Sequence, residues 1–300
     1  MKKSKLIALI LVVAILLTGL GFVVYNKVTT VDFGEIVIDG IPEKAEDASR
    51  VMSFNVRCAD DKEGSVKNRS KIVTAIIQQY APDSVGVQEA TGKWMRILSE
   101  NLGEYVSVGE HRDEDIDSEY SSIFFRRDKF NLLDSGTIWL SDTPEVKYTK
   151  YEESGCTRIA TWVVLENRET GEVYTHINTH LDHMGEAPRN LQIEVLKTKI
   201  AELKKLGHPI VCTGDFNSQP ETEVYSKITK VLKDTKAAAK NSDDGLTAHG
   251  YGKNEDYSAG PIDYVFVSKN VKVDTYKIIR NTAKDMYPSD HYPVVADVRF

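Results

Sequence analysis

The sequence predicts an α/β protein in which strands and helices pack in layers, preceded by an apolar amino-terminal helix. Three observations predict it. From Val51 onward, short apolar runs of strand length alternate with amphipathic stretches of helical period. Polar residues suited to chemistry recur at the carboxyl ends of those runs. Finally, Leu6 to Tyr25 is twenty residues without a charge. The 300-residue chain is 41% hydrophobic and 28% charged, enough for a real core and too apolar for a disordered chain.

At about 1.5 Å rise per residue, Leu6 to Tyr25 is long enough to cross a hydrocarbon core of about 30 Å, and it reads as a membrane span. A cleaved secretory signal normally has a shorter apolar region ending in small residues, and a buried core helix is the remaining alternative. Lys2, Lys3 and Lys5 before the span, against Lys27 after it, predict a cytoplasmic amino end and a body outside the cell membrane. If the signal is cleaved, the body is secreted. Residues 1–27 are thus the anchor and 28–49, with Gly34, Gly40 and Pro42, a stalk or first strand. Residues 50–300 form one domain, since no repeat or linker composition divides them.

Within that domain Val51–Val56 reads as a strand, and Asn68–Tyr80 as a helix with Ile72, Val73, Ile76, Ile77 and Tyr80 on one face, stopped by Pro82. Ser84–Gln88 is a strand and Trp94–Leu102 a short helix. Strands follow at Ser121–Phe125, Asn131–Leu140, Arg158–Asn167 and Glu172–Thr179, the last two joined by a turn with Gly171 at its left-handed position. The longest helix is Asn190–Leu206, ended by Gly207. Strand His208–Thr213, helix Glu221–Val231, a polar loop over Lys236–Asp256, and strands Ile262–Val267, Val271–Ile279 and Val294–Phe300 complete the chain. Trp139 and Trp162 fall in strands and read as core.

Charge narrows the function. Beyond residue 30 the chain carries 34 basic against 45 acidic groups, a net of −11. An acidic body lacks the positive field that supplies most non-specific affinity for nucleic acid, so long polyanions are disfavoured though not excluded. The cysteines, Cys58, Cys156 and Cys212, form no CxxC pair or Cys/His cluster, which excludes a disulfide-stapled scaffold and a structural zinc site. Outside the cytoplasm Cys58 and Cys156 either bridge or remain isolated buried thiols; Cys212 lies in an apolar run.

The strand-end residues are Asn55 in SFNVR, Glu89 in VGVQEA, His180 in INTHLDH, Asp215 and Asn217 in VCTGDFN, Asp263 in PIDYVFV, and Asp290 with His291 in YPSDHYPV. Each alone has a bland reading as a turn or cap. Together they supply carboxylates and an amide suited to a hard cation, magnesium or manganese rather than zinc, and histidines suited to moving protons or stabilising charge.

In the blocks FNVR, QEA, NTHLDH, GDFN and SDHYPV, in this order over Val51 to Phe300, the chain resembles the endonuclease/exonuclease/phosphatase superfamily of deoxyribonuclease I-like fold. YSSIFFRRDKF, IWLSDTPE, TRIATW and THLDHMGE make it most similar to a bacterial branch of phosphoesterases. The resemblance implies a four-layer sandwich of two facing mixed sheets flanked by helices. It also implies a magnesium-dependent phosphoester hydrolase, on mono- or diesters, of small or lipid-linked substrates. By position, Glu89 with Asn55 holds the metal, and Asp290 is a further metal or water ligand. Asp215 orients and activates the attacking water, Asn217 contacts phosphate or water, and His180 donates to developing charge. Asp263 orients His291, which is the base or a charge stabiliser; either Asp215 or His291 takes the water's proton.

Substrate-side candidates are Tyr120, Arg158 and His249. Asp182 and His183 lie just past His180, where His183 faces away from it if the strand continues and lines a substrate loop if it does not. His111, His176 and His208 read as structural or solvated. The competing functions are an extracellular nuclease and a membrane-tethered binding module without catalysis. The sequence points to no protein partner.

Overall fold

The computed structural model of the protein describes residues 30–254 and 256–300. The anchor predicted at Leu6–Tyr25 lies outside them. Among the described residues no helix is long and apolar enough to cross a membrane. The chain divides into a short amino-terminal unit, Met1–Glu35, and a body, Ile36–Phe300, that contains every element below.

The body begins with β1 (Ser49–Asn55) and α1 (Val66–Tyr80). Ser65 caps α1 by accepting the amide of Asn68, and Ala81 ends it in the left-handed region just before Pro82. β2 (Ser84–Gln88), β3 (Ala90–Thr91) and α2 (Gly92–Asn101) follow, then β4 (Tyr105–Val108), β5 (Glu119–Tyr120), β6 (Ile123–Arg126), β7 (Phe130–Trp139), β8 (Ile159–Asn167) and β9 (Val173–His180). α3 (Glu186–Leu203) starts a turn earlier than the predicted Asn190. Pro188 belongs to its first turn, where a missing N–H costs nothing. A 3-10 turn, Lys204–Leu206, and Gly207 with φ 84° end it. The rest is β10 (Ile210–Asp215), α4 (Glu223–Val231), β11 (Lys233–Asp234), α5 (Thr235–Ala238), β12 (Asn241–Ser242), β13 (Asp263–Val267), β14 (Lys272–Ile278) and β15 (Val294–Arg299). The region predicted as polar loop from Lys236 therefore holds most of one short helix and one short strand, and β4 appears where no element was predicted.

Two mixed sheets face each other. One has seven strands in the order β12-β14-β15-β1-β2-β6-β4, the other six in the order β11-β13-β10-β9-β8-β7; β3 and β5 form a separate ribbon. Strand alternation divides the residues between two faces. Ile210, Cys212, Ile177, Tyr264 and Phe266 point outward to pack with Leu196, Ile200 and Ile228 of α3 and α4. Val51, Val211, Val265, Val267 and Leu165 share the other core, between the sheets. Trp139 and Trp162 are both buried, at 2% and 9% exposed.

Along the strands this inter-sheet layer turns from apolar to polar. His176 joins Ser84 and Thr213 at 2.9 and 2.8 Å, and next to it Asn178 accepts from Gln88 at 2.6 Å. Gly86 sits where a Cβ would come within 2.1 Å of Thr213 Oγ1 and 2.4 Å of Asn178 Oδ1, so the two sheets close here only over a glycine. The row beyond this layer is Asn55, His180, Asp215 and Asp263.

Candidate active site

Sheet register assembles the site. Asp215 is paired with His180 across the parallel β9–β10 ladder and with Asp263 across the antiparallel β10–β13 ladder, so three functional side chains stand abreast on one face. Gly214 permits the approach: a Cβ there would meet the carbonyl oxygen of Thr179 at 2.4 Å. Asn55 ends β1 beside Gln88, and Glu89 follows at φ 59°, which turns its side chain away from the strand's alternation. Asn217 also takes a left-handed conformation, φ 47°, with its amide donating to Asp215 Oδ1 at 2.9 Å.

Polar contacts link these residues. Asn55 Nδ2 donates to Glu89 Oε1 at 3.1 Å and to Asp215 Oδ2 at 3.0 Å, while its Oδ1 accepts the amide of Arg57 at 3.0 Å. Asp263 Oδ2 holds His291 Nδ1 at 2.9 Å, and Asp215 Oδ2 lies 3.9 Å from the same nitrogen. His180 Nε2 is 3.1 Å from Asn217 Nδ2 and 3.4 Å from Asp215 Oδ2. With Asn217 donating to Nε2, the ring hydrogen of His180 sits on Nδ1, which is buried without a partner.

Burial and charge set distinct protonation states. Burial and then the Asp263 carboxylate push Asp215 well above the ordinary carboxylate range. Burial works against the charged form of His291, but the charge and hydrogen bond of Asp263 overcome it and hold His291 well above the usual histidine value. His180 goes the other way, since burial and then Arg158 keep it neutral. Burial opposes ionisation of Glu89 too, yet the backbone amide of Cys58, at 2.9 Å, and His291 bring it below the ordinary range.

Glu89, His180, Asp215, Asn217 and His291 line a cleft of about 330 Å³, while Asn55 and Asp263 reach it only through their hydrogen bonds to Glu89, Asp215 and His291. Arg158 and His183 form part of its wall, with Arg158 Nη2 3.2 Å from His183 Nδ1. Arg158 is 4% exposed, and its Nε and Nη1 are buried without partners. Asp290 lines the cleft, 3.7 Å from Arg57 Nε. Asp182 is fully buried and accepts the amides of Met184 and Cys156. The substrate-side candidates Tyr120 and His249 lie apart from the lining. Tyr120, in the β3–β5 ribbon, bonds the Ile116 carbonyl at 3.4 Å. His249 is buried and stacked on Tyr292 at 3.8 Å, and its Nδ1 accepts the amide of Gly252. Burial, then His291, lower it to about 4.

Sequence reasoning missed Arg57, Arg112 and Glu119 as cleft residues. Arg57 stands inside the FNVR block and was legible there. Arg112 and Glu119 sit in an acidic segment that reads as solvated loop. Cys58 and Cys156 both line the cleft, and both are free thiols rather than a bridge.

A model of the endonuclease/exonuclease/phosphatase family matches residues 52–291. The chain belongs to this family. Its members are hydrolases that act on phosphoesters. An endonuclease/exonuclease/phosphatase from Bacteroides vulgatus is similar in structure, with a TM-score of 0.78 at 30% identity over 84% of this chain and 99% of that one. A mannosyl-6-phosphatase of Bacteroides thetaiotaomicron has a TM-score of 0.78 at 28% identity, over 84% and 100%. A conserved protein of unknown function from Enterococcus faecalis has a TM-score of 0.76 at 25% identity, over 83% and 98%. No curated protein matches the chain.

Proposed function

We propose that the protein is a magnesium-dependent hydrolase of small phosphate monoesters, its catalytic body tethered outside the cell membrane by Leu6–Tyr25. The observation that carries the hydrolase reading is a set of buried, unpartnered N–H donors, His180 Nδ1 with Arg158 Nε and Nη1, on residues that line the cleft with the Asp215 and Glu89 carboxylates. Unpaired buried donors are costly unless a ligand satisfies them, and phosphoryl oxygens are suited to do so. Similarity at 28% identity, over 84% of this chain, to a protein described as a mannosyl-6-phosphatase supports a monoester.

The residues fit a hard cation at Glu89 and Asp290. Arg57 now lies 3.8 Å from Glu89 Oε2 and 3.7 Å from Asp290 Oδ2, so a positive charge already balances this pair of carboxylates. Asn55 would join through oxygen only if its amide turned over, because its nitrogen faces Glu89 and Asp215. Asp215, Asp263 and His291 also converge, with donor atoms within 4.8 Å. The Asp263–His291 hydrogen bond makes that trio better suited to proton transfer. When bound, the cation supplies a Lewis acid that withdraws charge from phosphoryl oxygens.

In the proposed reaction a water oxygen bonds to phosphorus, its proton passes to Asp215, and the bond from phosphorus to the alcohol oxygen breaks. Asp215 is the favoured base because its raised pKa gives it basicity, whereas His291 is already protonated against Asp263. Protonated His291 then supplies the proton to the departing alkoxide, and His180 Nδ1–H steadies charge on the phosphoryl group.

The test is phosphate release by the full-length chain with magnesium or EDTA, on a hexose 6-phosphate, a phosphodiester and DNA. Metal-dependent release from the monoester is expected. Cleavage of DNA or the diester without release from the monoester would overturn the reading in favour of a nuclease or phosphodiesterase. Protease added to intact cells should reach the body; full protection would refute the outward placement.

A further inference from the structure

We propose that the Arg112–Glu119 pair is the specificity element of the cleft, gripping the hydroxyl groups of a polyol or sugar whose phosphate sits over His180 and Asp215. This rests on the phosphomonoesterase reading and names its substrate class.

Arg112 and Glu119 line the same cleft as His180 and Asp215, with side chains 15% and 18% exposed. They form a two-pronged pair, Nη1 to Oε2 and Nη2 to Oε1, both at 2.9 Å. The pair is held from behind. The Arg112 amide donates to the Glu119 carbonyl at 3.0 Å, Trp139 Nε1 donates to the Arg112 carbonyl at 2.9 Å, and Arg112 Nε reaches Asp113 at 3.3 Å. Neither side chain has a hydrogen bond to the Asp215–His291–Asp263 group. A largely buried ion pair of this kind adds little net stability, so stability alone does not account for it.

Its chemistry matches a hydroxyl. Each Glu119 oxygen uses one lone-pair direction on Arg112 and keeps another, and each Arg112 Nη keeps one N–H. The pair therefore offers acceptors and donors side by side, as a hydroxyl group requires. The cleft lining argues against other leaving groups. Among the described residues that line it there is no Phe, Tyr or Trp, the broadest platforms for a nucleobase, and no aliphatic side chain for a lipid.

The experiment compares kcat/KM of the full-length protein for a hexose 6-phosphate and for phenyl phosphate, which lacks hydroxyls, in wild type, Glu119→Gln and Arg112→Lys. The ratio of the two constants is expected to fall by about tenfold or more in both variants, the loss of one or two hydrogen bonds to a charged group. An unchanged ratio, whether or not both constants fall together, overturns the proposal and leaves the hydrolase reading intact. Failure of the wild type to release phosphate from either monoester overturns the phosphomonoesterase reading and this proposal with it. The ratio is read on folded protein, so partial unfolding of a variant cannot mimic the expected result.

Discussion

His176 and His180 lie on the same strand, four residues apart, on the same face and both buried. His176 uses both ring nitrogens, on Ser84 and Thr213, in the closed polar layer between the sheets. His180 leaves Nδ1 without a partner, and it lines the cleft with Arg158 in the same condition. Burial drives both toward neutrality, to about 3 for His176. A histidine's role is therefore decided by the bonds it lacks, not by its burial or charge state. A satisfied ring joins sheets, whereas an unsatisfied one waits for a ligand.

The comparison can be broken most forcefully at the cleft. Asp215→Asn should lower kcat by about 10²- to 10⁴-fold, the span of general-base catalysis, with an unchanged or raised urea midpoint because a carboxylate crowded by Asp263 is gone. A large loss of stability with little loss of turnover would reverse the assignment of this region.

The closed layer should behave oppositely. His176→Ala takes one hydrogen bond from each of two hydroxyls, Ser84, which keeps Tyr174, and Thr213, which keeps Asn178, and opens a cavity, so urea unfolding should show a loss of about 3 kcal/mol while kcat per folded molecule stays near wild type. Gly86→Ala places a methyl against Thr213 and Asn178 and should cost about 1–3 kcal/mol by overpacking. If either change left the midpoint untouched, the layer would not be what holds the sheets in register.

Acid titration sharpens the contrast. The folded pKa of His176 is about 3 against an ordinary 6.5, so the unfolded chain binds protons first. Its contribution is complete above pH 6.5 and is lost as pH falls toward 3, by about 1.4 kcal/mol per unit. In His176→Gln the urea-derived stability should fall less steeply with acid, by about one proton in the linkage slope; an identical slope would mean that His176 is not buried neutral.

Much of this was legible in the sequence because the relevant signals are local. A polar residue directly after an apolar run marks a strand end, which is how Asn55, Glu89, His180 and Asp215 stand out together. The unreadable parts depend on contacts distant in sequence. Nothing in HRDEDIDSEY distinguishes Arg112 and Glu119 from a solvated loop, because their partners, the cleft and Trp139, come from other segments. Tyr120 and His249 were read as substrate-side from position alone. The structure gives Tyr120 to a ribbon edge and His249 to a ring stack. The early start of α3 was missed because Pro188 was not read as a first-turn residue.

Asp215 stands level with His180 on one side and Asp263 on the other, one residue from each of three adjacent strands. A slip of β13 by a single residue would replace Asp263 in that row with Ile262 or Tyr264 and leave His291 without its partner. The same slip would turn Tyr264 and Phe266 into the layer between the sheets and Val265 and Val267 out toward the helices. Turnover and stability thus report the same alignment from two sides, since the row of three residues and the two cores are set by one register.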